Sequence, residues 1–330
     1  LYKADENRYD GKMPVRRVGN SGLQLPAISF GMWHSFGDDA NFKDSEAVML
    51  EAFDSGIFSY DLAYNYGPES GAAERMFGEV YQKNLKPYRD ELVITTKAGF
   101  HMWPGPYGEM SSRKTLINAL DGSLKRMGLD YVDVYYSHRF DPETSLEETA
   151  VALDQLVRDG KALYVGISNY TSEQTHEIAK IFKDLHTPFV VNQVSYNMLN
   201  RNIEKDGLLD ELDADNLGLV AYGPLAEGLL TDKYLNGISD DFQIHWSSTE
   251  VMEQGNDKMV KKLNQLNELA QGRHQTLAQM SIAWLLKRKT VASIVTGASK
   301  PHHLLNNLEA MKNLDFTADE LAEIERILKA

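Results

Sequence analysis

Along this chain, short apolar runs rich in β-branched and aromatic residues alternate with longer stretches whose apolar positions recur every three or four residues. The first pattern reads as buried strand and the second as amphipathic helix. The strand-like runs are AISFG (27–31), IFSYD (57–61), LVITTK (92–97), YVDVYYSH (131–138), ALYVGIS (162–168), FVVNQV (189–194), LGLVAY (217–222) and VASIVTG (291–297). Between them, Asp44 to Gly56 places Ala47, Leu50 and Phe53 on one helical face and stops at glycine, and Ala72 to Lys83 makes the next helix. Ser111 or Ser112 caps a helix carrying Leu116, Ile117, Leu120, Leu124 and Met127. Ser145 opens the helix that runs to Asp159, with Glu148 as its capping-box partner, and Ser172 opens another. A short helix falls near 205–214, and helical stretches at about 258–271, 275–288, 300–311 and 317–328 complete the pattern.

Strands that are apolar on both sides are parallel strands covered by helices. Eight of them in 330 residues predict an α/β fold of the (β/α)8 TIM-barrel type, one domain spanning 1–330. The alternative, an open doubly wound sheet, lacks its dinucleotide fingerprint, because no two glycines are separated by a single residue. Ahead of the barrel, residues 1–13 read as an irregular polar arm and PVRRV-GNSG-LQLP as a β-hairpin. Extra helices are expected before the seventh barrel helix and at the C terminus. The stretch 223–257 is too long for a simple βα loop and leaves the C-terminal end of strand seven, where it is expected to fold over the site as a clasp.

Composition narrows the function. A formal net charge of −14 and a pI of about 5.1 argue against nucleic acid and anionic membranes as partners. With no cysteine there is no disulfide, thiolate nucleophile or cysteine-bound metal, and no metal site is expected. No apolar run approaches the ~20 residues of a membrane helix, and Leu1 begins no signal-like segment. The expectation is a soluble cytoplasmic protein acting on a small molecule; a homo-oligomer is left open.

The strand ends carry the chemistry. In a barrel, the C-terminal ends of the strands meet at one mouth, and here they bear Asp61, Lys97, His138, Ser168-Asn169, Gln193, Tyr222 and Gly297-Ala298-Ser299. Each has a structural reading alone: a loop acid, a solvated lysine, a satisfied core histidine. Together, in register with the strands, they would be expensive to bury for packing. Tyr66 follows Asp61 by five residues. Reduction of a carbonyl needs a hydride and a proton for the developing alkoxide. A phenol of ordinary pKa ~10 is a weak acid at neutral pH. A lysine against its oxygen is expected to lower that value, an aspartate to hold the lysine charged, and a histidine to orient the carbonyl oxygen.

This set of residues resembles the aldo-keto reductases. The resemblance spans about residues 14–329, and Asp61, Tyr66, Lys97 and His138 match that family's catalytic tetrad in type and context. GISNY (166–170), NQVSYN (192–197), YGPLAEGLLTDKY (222–234) and GASKPHHLLNNLEA (297–310) resemble its cofactor segments. The resemblance implies NADPH (NADP+) as cofactor. It implies Ser168, Asn169 and Gln193 on the carboxamide and Tyr222 stacked on the nicotinamide, with Trp33 and Asp61 nearby. Gly223, Pro224, Leu225, Gly228, Leu230 and Lys233 fall in the pyrophosphate stretch, and Gly297, Ser299, Lys300, His303, Asn306 and Asn307 at the adenosine end. Lys300 stands where arginine is common and would meet a 2′-phosphate as a point charge. Gly223 and Asp232 replace the usual Ser and Gly.

More narrowly, GMWHSFG (31–37), YNYGPESGAAE (64–74) and KAGFHMWPGPYG (97–108) resemble bacterial L-glyceraldehyde 3-phosphate and methylglyoxal reductases, a group close to potassium-channel β-subunits. The implied reaction is reduction of small aldehydes. Trp33, Tyr64 and Trp103 are candidate walls of the substrate pocket, and Arg139 is either an anchor for an anionic substrate or one half of a salt bridge, for example with Asp141. Two other functions stay open: a cofactor-binding sensor or auxiliary subunit with slow turnover, and a Schiff-base enzyme using Lys97.

Overall fold

A computed structural model describes residues 1–245 and 248–330. Its chain opens with β1 (Val15–Arg17) and β2 (Gln24–Pro26), an antiparallel hairpin in the register Val15↔Pro26. Eight parallel strands then close into a barrel: β3 (Ile28–Gly31), β4 (Ser59–Asp61), β5 (Val93–Ala98), β6 (Val132–Ser137), β7 (Ala162–Ser168), β8 (Phe189–Ser195), β9 (Gly218–Tyr222) and β10 (Val291–Thr296). The ring closes where β10 pairs with β3, Ile294 opposite Ile28.

Helices follow the strands: α1 (Phe42–Asp54), α2 (Ala72–Val80), α3 (Arg113–Met127), α4 (Leu146–Arg158), α5 (Ser172–Leu185), the short pair α6 (Asn202–Lys205) and α7 (Leu208–Ala214), α8 (Asn256–Gly272), α9 (Leu277–Leu286), α10 (Pro301–Leu308) and α11 (Ala318–Lys329). The expected extra helices are α8, which precedes the seventh barrel helix α9, and α11, which closes the chain. Among the described residues, no helix is long and apolar enough to cross a membrane.

The hairpin has a structural task. Val18, Leu23 and Leu25 pack with Val93, Val134, Val191, Val220 and Ala292, sealing the end of the barrel where the strands begin. The mouth at the other end is left open for polar side chains. The N-terminal arm is irregular but docked: Tyr2 donates to Asp54 at 2.6 Å, the Ala4 amide donates to Tyr88 at 3.0 Å, and Arg8 pairs with Glu91.

Several boundaries differ from the sequence pattern. β5 runs one residue past Lys97, while His138 and Gly297 lie one residue beyond their strands. Strand β4 keeps only Ser59–Asp61 of IFSYD. The helix from Ala72 ends at Val80 and loosens into a π turn and a 3-10 turn before β5, where Pro87 cannot continue an α-helical hydrogen-bond ladder. Ser112, not Ser111, caps α3. Ser145 caps α4, but only half of the expected box forms, because Glu148 turns its carboxylate to the amide of Arg113. The stretch after β9 holds 3-10 turns at Ala226–Gly228, Asp232–Tyr234 and Thr249–Met252. Residues 246 and 247 of the expected clasp lie outside the described residues.

Helices α2 and α3 come together through Gly78, where a Cβ would meet the Arg126 carbonyl oxygen at 2.5 Å and Met127 Cα at 2.9 Å. Alanine in a helix interior ordinarily gains ~1 kcal/mol over glycine. Overpacking against backbone reverses the sign, so Gly78→Ala is expected to lower stability by about 1–3 kcal/mol. Urea unfolding midpoints measure this, and a midpoint at or above wild type would show that parting the two helices costs no more than the propensity alanine gains.

Candidate active site

The site is built where β4 and β5 lie side by side, Asp61 opposite Thr95. Lys97 is wholly buried and all three ammonium protons have acceptors: Asp61 Oδ2 at 2.7 Å, the Leu62 carbonyl at 2.7 Å and Tyr66 Oη at 3.2 Å. Asp61 is equally well held, its Oδ1 accepting from Thr95 Oγ1 at 2.8 Å and Gln193 Nε2 at 3.0 Å. Such a pair survives burial only because every remaining lone pair and proton is satisfied.

This geometry overturns one electrostatic expectation. The Tyr66 phenol lies well above, not below, the usual tyrosine value; burial is the main cause and Asp61 adds to it. The lysine's charge is largely matched by the carboxylate, which it meets at 2.7 Å, closer than the phenol at 3.2 Å. The phenol therefore senses a nearly neutral pair inside a dry wall. Burial also pulls Lys97 down from 10.5, opposed by Asp61 and by Glu74.

Glu74 is a participant that the sequence pattern missed. It sits fully buried on α2, accepting from Thr96 Oγ1 at 2.6 Å and Arg126 Nε at 2.8 Å. The available signal was a carboxylate in helical register with Phe77 and Tyr81 on an apolar face.

His138 lies just past β6 with its ring edge-on to Phe100 at 4.6 Å and to Tyr66 at 5.9 Å. Burial first, then Lys97 and Arg139, push its pKa well below 6.5, so the ring is neutral. Its Nδ1 is buried without a partner. A proton there would be an orphaned donor, so the favoured tautomer carries it on Nε2.

A cavity of about 450 Å³ opens over these groups. Its walls include Trp33, Asp61, Tyr66, His138, Ser168, Asn169, Gln193 and Tyr222, with Gly223, Pro224, Leu225, Gly228, Gly297 and Ser299 along one side. The amide-bearing wall is internally braced: Ser168 Oγ donates to the Gln193 carbonyl at 2.7 Å, Asn169 Nδ2 to the His138 carbonyl at 3.0 Å, and Tyr222 to Asn169 Oδ1 at 2.6 Å. Asn65, Phe100, His34 and Glu227 also line the cavity, although strand-end reasoning did not select them.

Other expected site residues lie off its walls. Leu230 is in the hydrophobic core. Lys233 sits 5.0 Å from the Tyr234 ring centroid, and Lys300 occupies the N-cap of α10. His303, Asn306 and Asn307 ride on α10, where Asn306 accepts from Gln279 Nε2 through its carbonyl at 2.8 Å and its side chain at 3.1 Å. Tyr64 packs against Trp103 at 5.3 Å and under the Arg126 guanidinium at 3.8 Å. Arg139 forms a salt bridge, but with Glu109 at 2.8 Å, and it stacks 4.4 Å over Phe100. Asp141 is committed to the amides of Ser111 and Glu143.

The family described as aldo/keto reductase matches residues 27–329. L-glyceraldehyde 3-phosphate reductases of Escherichia coli O157:H7 and strain K12 are 48% identical over 330 residues, covering 99% of this chain and 95% of each relative. A putative voltage-gated potassium channel subunit beta of Schizosaccharomyces pombe is 34% identical over 326 residues, covering 96% of this chain and 93% of that protein.

The state of His138 is directly measurable. Its ring resonances are expected to show no titration around the ordinary value of 6.5. The buried neutral ring gives its full stability above that value, and stability declines as pH falls below it, because the unfolded chain takes up a proton the folded site refuses. An NMR midpoint near 6.5 for this ring would contradict its buried placement.

Proposed function

The chain belongs to the aldo/keto reductase family, and from that premise we propose that it reduces small aldehydes to alcohols with NADPH, Tyr66 giving the proton. Methylglyoxal and glyceraldehyde 3-phosphate are the substrate types proposed, the second supported by the activity named for the 48%-identical relatives. The observation that carries the reading is the single buried lysine Nζ that meets both Asp61 and Tyr66, two residues of the cavity wall.

The residues present fit a nicotinamide cofactor. Ser168, Asn169 and Gln193 put polar groups on one wall beside the Tyr222 ring, suiting a carboxamide and its flat ring. Gly223 and Gly228, at φ +65° and +92°, let the backbone line the adjoining side without side chains. Beyond Ser299, Lys300 and the first turn of α10, which has no acidic residue, offer a positive end to phosphate. A reduced nicotinamide bound there supplies the hydride.

The chain's own groups do the rest. Lys97 donates to the Tyr66 oxygen, which leaves the phenolic proton free to point at the cavity. Burial keeps that proton in place across neutral pH, and a developing alkoxide is a strong enough base to take it. The Nε2–H of His138 steadies the same oxygen. Trp33 and Phe100 add aromatic wall beside the reacting centre. Burial lowers the Lys97 pKa, as a Schiff-base nucleophile requires, yet its protons are all engaged and it does not reach the cavity wall, which disfavours that role. We place the activity in the cytoplasm, a reading supported by the absence of cysteine and hence of any disulfide.

Tyr66→Phe is expected to bind NADPH with unchanged affinity in a fluorescence titration and to lose turnover by about 10²–10⁴-fold, the usual contribution of a positioned acid. Near wild-type turnover in the variant would refute the proton-donor role. Wild-type enzyme that oxidises only one equivalent of NADPH across an aldehyde panel would favour a sensor instead.

A further inference from the structure

The cavity wall carries three side-chain amides, and they are not alike. Gln193 is held by Asp61 and Asn169 by the His138 carbonyl, each through its NH2 at 3.0 Å. Asn65 makes no side-chain hydrogen bond among the described residues, and its Oδ1 is buried without a partner. Leaving a buried amide oxygen unpaired costs about 1–3 kcal/mol, whereas an apolar side chain of similar volume would avoid that cost. An amide left uncommitted on a cavity wall is available to a ligand.

We propose that Asn65 is a specificity-determining residue that binds an oxygen on the carbon next to the reacting carbonyl. The inference rests on the reductase reading above. Asn65 immediately precedes Tyr66, and both line the same cavity, which puts the amide on the wall that also carries the proposed proton donor. Several other wall groups near the reacting centre are apolar or already engaged. Trp33, Met32 and Phe100 are largely apolar, Asp61 is fully engaged by Lys97, Thr95 and Gln193, and Arg139 is paired with Glu109. The amide carries both a donor and an acceptor, so it serves a keto oxygen or a hydroxyl equally well. The site therefore selects 2-oxoaldehydes and 2-hydroxyaldehydes over plain alkanals.

The matched pair 2-hydroxypropanal and propanal isolates this contact, since they differ by one hydroxyl. Their kcat/KM values with NADPH should be measured for wild type, Asn65→Leu and Asn65→Ser. Wild type is expected to favour the hydroxyaldehyde, Asn65→Leu to cut that preference at least tenfold, and Asn65→Ser to recover part of it. A general packing role would lower both substrates together and leave the ratio unchanged, and an unchanged ratio overturns the assignment. Wild type that binds NADPH but reduces neither aldehyde overturns the reductase reading itself, and this inference with it.

Discussion

A lysine ammonium with no solvent exposure, inside a barrel wall, is the constraint around which the site is arranged. Taking such a charge out of water costs several kcal/mol, and the cost is recovered only by an opposite charge in good geometry with all other polar positions filled. Asp61, the Leu62 carbonyl and Tyr66 fill them on the lysine's side, and Thr95 and Gln193 do so for the aspartate. These partners come from β4, β5, β8 and the loop after β4. The pair thus ties opposite parts of the ring to one point and fixes where the Tyr66 hydroxyl can be.

Behind it stands a second buried carboxylate. Glu74 bonds Thr96, the neighbour of Lys97, and Arg126, whose guanidinium covers Tyr64. Close α2–α3 packing at Gly78 holds this layer against β5. The order runs outward from the phenol: a lysine that aims it, an aspartate that balances the lysine, and a helix pair that braces the strand beneath them.

Much of this was legible in the sequence. Eight apolar runs separated by helices lead to a parallel barrel because parallel strands must be covered on both faces, and barrel topology then brings the strand ends to one mouth. Asp61, Lys97, His138 and Gln193 could be placed at that mouth without coordinates. What was hidden depends on distances. The direction of the Tyr66 shift turns first on how completely the phenol is buried, with Asp61 adding to it, and a list of neighbouring residue types does not reveal burial. Arg139 pairs with Glu109, thirty positions away in the chain, and not with nearby Asp141, because Asp141 is occupied by backbone amides. The frayed end of α2 and the half-formed box at Ser145 likewise reflect tertiary partners outcompeting local preference.

The account stands on the buried pair, and a double-mutant cycle in denaturant tests it most directly. Unfolding free energies of wild type, Asp61→Asn, Lys97→Met and the double variant give the coupling. Each single change is expected to cost about 3–5 kcal/mol, since it strands the other group in the wall. The double variant is expected to cost less than the two together, by ~2 kcal/mol or more. Losses that simply add would show that Lys97 and Asp61 do not depend on one another, and would contradict the account.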